Sequence, residues 1–284
     1  MPIDKRNPLR ETWRRLKMNK PAVCGLSVIA ILITSAMLAP WIAPYDPAAM
    51  DVRARLQGPS TKHFLGTDNF GRDIFSRIVY AGRISLVIGF VAVGIGAVFG
   101  GITGAVSGYY GKGLDSLLMR TMDVILSIPQ LILAIAVVGA LGANLINLMI
   151  AVGISVLPRY ARLVRASAMS LRDLEFIEAA RAAGASDLRI IVQNIIPNCM
   201  APLIVLSTLG VAQAILSAAT LSFLGLGIQP PTPEWGSMLS DGRQFLRNAP
   251  HITIFPGIAI MIIVMALNML GDGLRDALDP KLRR

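Results

Sequence analysis

Long runs without a charged residue constrain this chain more than any other feature. Five stretches of the 284 residues contain no Asp, Glu, Lys or Arg: residues 22–43, 84–111, 124–158, 190–233 and 248–271. A helix needs about 20 apolar residues to cross the hydrocarbon core of a bilayer. A chain of 284 residues cannot supply a soluble shell around five buried helices of that length, which excludes a large soluble globule. The sequence therefore predicts an all-α integral membrane protein.

Two of these runs are too long for a single crossing at about 1.5 Å rise per residue. Residues 124–158 break at a Gly- and Asn-containing stretch, 139–144, and predict two helices, over 118–139 and 145–166. Residues 190–233 end in a Gly- and Pro-rich stretch that regular helix does not accommodate. They predict one helix, over 198–221, followed by an irregular loop. The total is six membrane-spanning helices, so both termini lie on one side.

The distribution of Lys and Arg predicts which side that is. Nineteen of the 27 basic residues fall on the side of the termini and of the loop 159–196, and eight fall on the other side. The positive-inside rule then places both termini and this loop in the cytoplasm, which predicts a multi-pass membrane protein with cytoplasmic termini. Nucleic-acid binding, the rival explanation of a net charge of +10, is disfavoured because the basic residues do not gather in one patch.

The first apolar run differs from a secretory signal, because its 22 residues exceed the roughly 7–15 residues of a signal core. It predicts an uncleaved helix that a long outer segment separates from the other five. The predicted organisation is an N-terminal cytoplasmic segment (1–21), a peripheral first helix (22–43), an outer loop (44–83), a five-helix core (84–272) that contains a cytoplasmic loop (167–197), and a cytoplasmic tail (273–284).

The second predicted span has glycines at a spacing of four residues, which places them on one helical face. Small residues in such a row allow another helix to approach closely. The row indicates either static close packing or a seam that slides during transport, and the sequence leaves both open. Its members are Gly96, Gly100, Gly104 and Gly108.

The cytoplasmic loop has the pattern of a helix, a sharp turn and a second helix outside the bilayer. Residues 172–183 are rich in Ala, Leu, Glu and Arg, which favour helix. Gly184 is a plausible helix C-cap, and Ser186 and Asp187 fit the N-cap and first turn of the next helix. Because its alanines are small, the first helix is suited to a groove on another protein. The alternative is an interfacial amphipathic helix without a partner.

This loop resembles the Glu-Ala-Ala loop of permease subunits of ATP-binding-cassette importers. Glu178, Ala179, Ala180 and Gly184 are in register with that pattern, as is Pro197. The second half of the pattern is weaker, since Asn194 replaces an apolar residue and Ile196 replaces Leu. Three more stretches are similar to the second permease chain of dipeptide, oligopeptide and nickel importers: residues 63–77, 221–239 and 271–280.

The resemblance implies the type I importer permease fold, also called MetI-like. It also implies a second homologous permease chain, two ABC ATPase subunits that bind ATP and Mg, and an extracytoplasmic binding protein that delivers the substrate. In this family the loop is the coupling helix that docks on an ATPase. The residues that the resemblance assigns to coupling are Glu178, Ala179, Ala180, Gly184, Ala185 and Asp187.

Charged residues cluster in the outer loop after the first helix: Asp68, Arg72, Asp73 and Arg77. Opposite charges this close either lock the loop through ion pairs or receive a binding protein at the outer face, and both interpretations stay open. In the second outer segment, residues 224–251, Trp235 is interpreted as an anchor at the membrane interface rather than as a substrate contact.

Several motifs are missing from the sequence. The Gly-x-x-x-x-Gly-Lys-Ser/Thr phosphate loop is absent, so we expect ATP hydrolysis on partner subunits and no cofactor in this chain. The two histidines, His63 and His251, form no metal or nucleophile pattern, so no metal site is predicted. The spans hold almost no ionisable residues beyond Arg120 and Asp123 near one end, which disfavours a proton- or sodium-coupled carrier.

The predicted function is a permease subunit that imports dipeptides or oligopeptides at the expense of ATP. The same architecture with nickel, glutathione or another small solute as cargo is an alternative within the class. A secondary transporter driven by an ion gradient, and a membrane scaffold, are the alternatives from other classes.

Overall fold

The computed structural model describes residues 8–278, and the regular secondary structure of this range is helical. The predictions for the first seven and last six residues lie outside the described residues. The helices are α1 (Pro8–Met18), α2 (Lys20–Met37), α3 (Ala39–Ile42), α4 (Ile74–Ile95), α5 (Gly101–Tyr110), α6 (Lys112–Ser127), α7 (Gln130–Leu141), α8 (Leu145–Arg172), α9 (Glu175–Ala182), α10 (Asp187–Ile190), α11 (Ile196–Phe223), α12 (Trp235–Gly242) and α13 (His251–Leu278).

Five helical stretches of the described chain are long and apolar enough to cross a membrane, and the bent pair α6–α7 makes a sixth. The five are α2, the continuous stretch Ile74–Tyr110, α8, the continuous stretch Asp187–Phe223, and α13. The predicted all-α fold with six spans is confirmed. Single turns of π-helix, Gly96–Gly100 and Ile191–Ile195, join the segments of the two longest stretches.

The prediction of one straight helix over 118–139 is wrong. The chain breaks after Ser127, and α6 and α7 meet at 90°. Pro129 causes the break, because a proline has no N–H to donate and disfavours helical geometry in the residue before it. Ile128 accordingly adopts extended backbone angles, φ −95° and ψ 127°.

Two other predicted boundaries differ from the observed ones. The second span begins at Ile74, inside the predicted outer loop 44–83, because Asp73 caps the helix at that point. The span predicted over 198–221 begins at Asp187, since α10 continues through a π-turn into α11. The prediction that the Gly- and Pro-rich stretch after it is not helical is confirmed, because α11 ends at Phe223.

The glycine row on the second span lies against α8. A Cβ on Gly100 would come within 2.5 Å of the Leu157 carbonyl oxygen, and one on Gly108 within 2.6 Å of the Arg165 carbonyl oxygen. The two helices therefore touch through their backbones, as the row predicts. Whether this seam slides during transport stays a prediction.

The first span packs on the last. A Cβ on Gly25 of α2 would come within 2.5 Å of the Ala266 carbonyl oxygen of α13. The main hydrophobic core includes buried side chains of α2, α4, α8, α11 and α13, so the spans form one bundle. The short helix α12 packs against the same core through Trp235 and Met238.

Candidate coupling site

The polar loop between α8 and α11 contains a short helix that is separate from α8. The predicted helix over 172–183 is interrupted, because Arg172 ends α8 and α9 begins only at Glu175. Glu175 and Glu178 lie in the first turn of α9, and Arg181 lies in its last turn. Negative charge thus lies at the positive end of the helix dipole and positive charge at its negative end. Both interactions are favourable and stabilise a helix of only two turns.

Gly184 ends α9 in a Schellman motif. The Ala185 N–H donates to the Ala180 carbonyl at 3.1 Å, and the Gly184 N–H donates to the Arg181 carbonyl at 3.0 Å. The motif requires a left-handed residue after the C-cap, and Gly184 has φ +81°. The predicted turn at Gly184 is confirmed, with Ala183 as the C-cap.

The chain turns at once into the next span. Ser186 is the N-cap of α10, and its hydroxyl accepts the Arg189 N–H at 3.4 Å. Asp187 occupies the first turn, as predicted. Because α10 runs into α11 through the π-turn, the loop is connected directly to two membrane-spanning helices, α8 before it and α11 after it.

A small hydrophobic cluster anchors the loop to the bundle. Ile177 of α9 is fully buried and lies in one cluster with side chains of α5, α8 and the start of α11. Ala180 and Ala185, the two residues that the Schellman motif joins, are partly buried against the same cluster. A residue of α9 thus shares a core with three other elements, so a movement of α9 would disturb their packing. The other members of the cluster are Ala105, Tyr109, Val164, Ala168, Ile190, Ile191, Ile195 and Cys199.

Tyr109, at the end of α5, joins both halves of the loop. Its hydroxyl donates to Asp187 Oδ1 at 2.7 Å and accepts from Arg181 Nη2 at 3.4 Å. The Arg181 guanidinium also lies over the Tyr109 ring, 5.7 Å from its centroid. The hydrogen bond to Tyr109 raises the pKa of Arg181 above its ordinary value. One aromatic side chain therefore ties α9 and α10 to the second span.

The surface of the loop that faces away from the Ile177 cluster is exposed. Glu178, Ala179, Gly184 and Asp187, four of the residues assigned to coupling by resemblance, are exposed. Larger apolar side chains of the same loop are also exposed, and an exposed surface of this composition is typical of a protein contact. These are Leu174 at 44%, Phe176 at 43% and Leu188 at 72% exposure.

The structure brings together the charged residues predicted in the outer loop. Arg72 Nε donates to Asp68 Oδ2 at 2.6 Å, and Arg77 Nε lies 3.6 Å from the same oxygen. A residue far along the chain joins them, since Arg72 Nη2 contacts Asp241 Oδ2 of α12 at 3.2 Å. Asp68, Arg72 and Arg77 are buried, so the geometry favours the interpretation that ion pairs lock the loop. Their contact with a binding protein stays a prediction.

Asp73, the fourth of these residues, serves another purpose. Its Oδ2 accepts the Ser76 N–H at 2.8 Å and so caps α4, while its Oδ1 lies 2.9 Å from His63 Nδ1. His63 in turn stacks against the Tyr45 ring, with 4.8 Å between centroids. The outer loop is thereby fastened to the N-terminus of the second span.

The second outer segment is fixed to the bundle by two buried residues. Glu234 caps α12 by accepting the N–H groups of Gly236 and Ser237, both at 2.8 Å. Burial raises the pKa of this carboxyl above its ordinary value. The interpretation of Trp235 as an interfacial anchor is wrong, because its ring is 1% exposed and its Nε1 donates to the Ile78 carbonyl at 3.1 Å.

Sequence reasoning missed Tyr109, Ile177 and Asp241. Tyr109 and Asp187 are 78 residues apart, and Arg72 and Asp241 are 169 apart, so local patterns do not connect them. An isoleucine three residues after Leu174 in a polar segment could have indicated the buried side of α9. Within the described range, no three His, Cys, Asp or Glu side chains are grouped so that they could hold a metal ion.

A six-span helical bundle with an exposed two-turn helix outside its spans defines an all-α integral membrane protein that presents a polar element outside the bilayer. Residues 96–284 match the family described as binding-protein-dependent transport system inner membrane component, and the chain belongs to this family. Residues 7–59 match the N-terminal TM domain of oligopeptide transport permease C.

Close relatives are similar over almost their whole length. The dipeptide transport system permease protein DppC of Alkalihalophilus pseudofirmus is 51% identical over 98% of this chain and 91% of its own. The di/tripeptide transport system permease protein DppC of Pseudomonas aeruginosa is 44% identical over 98% of this chain and 93% of its own. The glutathione transport system permease protein GsiD of Escherichia coli is 46% identical over 99% of this chain and 93% of its own.

The fold is shared with a solved transporter. A chain of the methionine ABC transporter MetNI in an inward-facing conformation superposes with a TM-score of 0.58. The match covers 72% of this chain and 96% of that one at 20% identity, and it therefore shows the fold alone. The predicted MetI-like architecture and the predicted family are confirmed.

Proposed function

We propose that this chain is a permease subunit of an ATP-driven importer of dipeptides or oligopeptides, and that α9 is its coupling helix. Two ABC ATPase subunits dock on the complex, one of them on the exposed surface of this loop. A second homologous permease completes the path, and an extracytoplasmic binding protein delivers the cargo. ATP and Mg are bound by the ATPases, because this sequence has no phosphate loop. Two findings support this function. The chain belongs to the transport family, and α9 is packed on the bundle through Ile177 while its other side is exposed.

The single observation that carries the mechanism is the connection of α9 to three membrane-spanning stretches. The chain links it to α8 and α11, and Tyr109 links it to the end of α5. The glycine seam then holds α5 against α8 at backbone distance. A displacement of α9 by closing ATPases is therefore passed to all three stretches together, and the spans tilt as a group.

The distribution of charge supports the orientation. The loop lies on the side that contains 19 of the 27 basic residues, which is the cytoplasmic side by the positive-inside rule. We propose that the protein resides in the inner membrane, with both termini in the cytoplasm and the cluster of buried Asp68 and Arg72 with half-buried Asp241 on the outer side.

Peptide cargo is supported by the names of several relatives, two of which are dipeptide or di/tripeptide permeases. Glutathione is a second candidate, because a relative named as a glutathione permease is similarly close. Competition by dipeptides, tripeptides and glutathione in an uptake assay with the cognate binding protein distinguishes the two.

Replacement of Gly184 tests the coupling role. Nothing lies within 4 Å of a Cβ built on Gly184, so a substitution acts through its left-handed backbone and not through a clash. Gly184→Val is expected to strain the Schellman turn by about 1–2 kcal/mol or more, since β-branched residues avoid positive φ. In the reconstituted complex, uptake should fall while ATP hydrolysis continues without stimulation by the loaded binding protein.

Gly184→Asn is the matched control, because asparagine tolerates the left-handed conformation. It should retain most uptake and most of the stimulation. Normal uptake by the Gly184→Val complex would contradict the coupling role of the turn. Vanadate-insensitive uptake by the unmodified complex would instead support an ion-coupled carrier.

A further inference from the structure

The face of α11 that points away from α4 carries an unpartnered amide. Gly89 of α4 lies against α11, because a Cβ built on it would come within 2.7 Å of Ile215 Cγ1 and 3.1 Å of Val211 Cγ1. Gln213 is two residues from each of these contacts, and at about 100° per residue it lies on the opposite side of the helix. Its side chain is exposed and has no hydrogen-bond partner among the described residues.

Two other helices flank this face of α11. A Cβ on Gly271 of α13 would come within 2.5 Å of Leu209 Cδ2, and one on Gly210 would meet the Tyr160 hydroxyl of α8. Leu209 and Gly210 thus mark the two sides on which α13 and α8 touch α11. Gln213 is four residues after the first and three after the second, so it lies between them. Because Gln213 is exposed, it forms the back of a cleft between α8 and α13.

A second unpartnered amide, Asn268 of α13, lies at the level of Gln213. Asn268 is one turn before Gly271, and Gln213 is one turn after Leu209. Since the antiparallel helices touch at Gly271 and Leu209, one turn along each in opposite chain directions brings the two amides level. Asn268 is also exposed, and in the described part of the chain its side chain has no hydrogen-bond partner.

Both amides lie on the front of the α11–α13 pair, away from α2 and α4. Gly25 of α2 contacts Ala266, two residues before Asn268, so α2 lies behind α13 as α4 lies behind α11. The two rear helices also meet each other, since a Cβ on Gly82 of α4 would come within 3.6 Å of Ala36 Cβ. The rear of the pair is thereby closed, and the cleft is at its open front.

The surroundings of the two amides favour water over lipid in this cleft. Both amides belong to apolar spans and lie in the uncharged runs 190–233 and 248–271. An amide that faces hydrocarbon without a partner loses its hydrogen bonds to water, which costs free energy. Asp272, one turn after Asn268, is exposed and forms no ion pair within the described range, so its carboxylate requires water. The cleft is therefore continuous with water at this end.

We propose that Gln213 and Asn268 line the translocation path and bind the backbone of the peptide cargo. A carboxamide has N–H donors and a carbonyl acceptor, the same groups that a peptide bond offers. Two neutral amides therefore hydrogen-bond a peptide without selecting its side chains. This site rests on the proposed function, because it requires the cargo to be a peptide.

Cysteine labelling in the complete reconstituted transporter tests whether water fills the cleft. In a Cys24→Ser/Cys199→Ala background, Gln213→Cys and Asn268→Cys should react with a water-soluble methanethiosulfonate roughly tenfold faster than Val91→Cys, since only a hydrated thiol ionises readily. Val91 is the matched control. It is exposed on α4 two residues from the glycine that touches α11, so it lies level with Gln213 on the lipid side. Exclusion of the reagent from positions 213 and 268 would show that lipid or the second permease covers the cleft, and would overturn the proposal.

A cysteine-containing tripeptide, activated as its thiopyridyl mixed disulfide, tests whether cargo reaches the cleft. The thiolate at position 213 or 268 attacks the peptide sulfur, expels pyridinethiolate and retains the peptide through a new disulfide. During turnover, mass spectrometry should find roughly tenfold more peptide at these positions than on Val91→Cys, and an excess of ordinary peptide should prevent the attachment. Equal attachment at all three positions, or none at 213 and 268, would overturn the proposal.

Peptides with a methylated backbone nitrogen test the hydrogen bonds themselves. With the binding protein saturated, the unmodified transporter should import the methylated peptide roughly fivefold more slowly than its parent, as expected for one lost hydrogen bond. Gln213→Leu/Asn268→Leu should import both peptides at the same reduced rate, and Gln213→Asn should keep part of the difference. Multiplicative losses from methylation and from the two leucines would show that these amides do not bind the backbone.

Failure of this site is distinguishable from failure of the proposed function. Absence of peptide uptake by the unmodified complex would overturn the peptide cargo, and this site with it. Normal, vanadate-sensitive uptake together with an inaccessible cleft would overturn the site alone.

Discussion

The Tyr109 hydroxyl lies 2.7 Å from Asp187 Oδ1 and accepts from Arg181, so the end of one membrane-spanning stretch is hydrogen-bonded to both sides of the coupling turn. The Schellman motif at Gly184 lies between these two partners. The turn is therefore closed twice, once by its own backbone and once by a side chain from α5. This double closure restricts the relative movement of α9 and α10, which the proposed coupling role requires.

Removal of the Tyr109 hydroxyl should loosen the loop and leave the bundle intact. Tyr109→Phe keeps the buried ring and deletes both hydrogen bonds, at an expected cost of about 1 kcal/mol. We expect faster hydrogen exchange at residues 183–190 and more ATP consumed per molecule transported. Because the ring remains in its cluster, insertion and thermal stability of the complex should change little.

A double-mutant cycle with Asp187→Ala measures the pair itself, because alanine has no acceptor for the Tyr109 hydroxyl. A coupling energy of about 1 kcal/mol in the exchange measurement is expected if the two side chains interact as they do in this structure. Strictly additive effects of Tyr109→Phe and Asp187→Ala would show that the hydrogen bond does not stabilise the loop.

The seam between α5 and α8 offers a test with neighbouring glycines. A Cβ on Gly104 would come within 2.8 Å of the Arg165 backbone nitrogen, whereas nothing lies within 4 Å of one on Gly101. Gly104→Ala should force the backbones apart and destabilise the protein by about 1–3 kcal/mol. Gly101→Ala should be neutral or stabilising by up to about 1 kcal/mol, because alanine favours helix. Thermal unfolding of the purified chain in detergent compares them, and similar Tm values for both variants would contradict the close contact.

The buried ion pairs of the outer loop should be important for stability. Arg72→Met removes the common partner of Asp68 and Asp241 and leaves Asp68 paired only with Arg77, 3.6 Å away. Loss of one member of a buried pair costs about 3–5 kcal/mol, and because Arg77 remains, the loss should lie toward the lower end of that range. Arg53→Gln, in the same loop but exposed, should change stability by at most about 0.5 kcal/mol. Chemical unfolding followed by proteolysis of the outer loop measures both.

A second change separates buried charge from general damage at this cluster. Asp68→Asn removes the charge and keeps an oxygen for the backbone N–H groups of Phe70 and Arg72. Arg77, whose Nε lies 3.6 Å from Asp68 Oδ2, would lose its carboxylate in this variant, so the suitable background is Arg72→Met/Arg77→Met. In that background Asp68→Asn should recover part of the lost stability. A triple variant less stable than the double variant would show that the penalty does not arise from an unpaired carboxylate.

The elements that the sequence predicts well depend on local rules. Uncharged runs of about 20 residues indicate the spans, and the caps at Gly184 and Ser186 depend only on their immediate neighbours. The break at Pro129 also has a local signal, the restriction that a proline places on the residue before it. Hydropathy continues through that proline, so a criterion of apolar length alone joins two helices that are perpendicular.

The partners that sequence patterns miss are distant in the chain. Asp241 meets Arg72 only because α12 folds back onto the start of α4, and Trp235 is buried for the same reason. An aromatic residue near the end of a hydrophobic run normally indicates the membrane interface. That rule fails at Trp235 because the outer segment folds back onto the bundle and does not extend along the lipid.

The pH dependence of stability should reveal Glu234. Burial raises its pKa, so the folded protein retains this proton at pH values where the unfolded chain has lost it. The resulting stabilisation is fully present below the ordinary carboxyl pKa and is lost as the pH rises through the raised value in the folded state. Glu234→Gln removes this ionisation, and thermal unfolding across pH 4–8 compares the two proteins.

The slope of stability against pH is the quantity to compare, not the stability itself. Glutamine has one carbonyl oxygen for the N–H groups of Gly236 and Ser237, so the variant starts from a lower stability by about 1 kcal/mol. We expect the unmodified protein to lose more stability than Glu234→Gln between acidic and neutral pH. Parallel pH profiles would show that the pKa of this carboxyl is the same in the folded and unfolded states, which would contradict its desolvation at the N-terminus of α12.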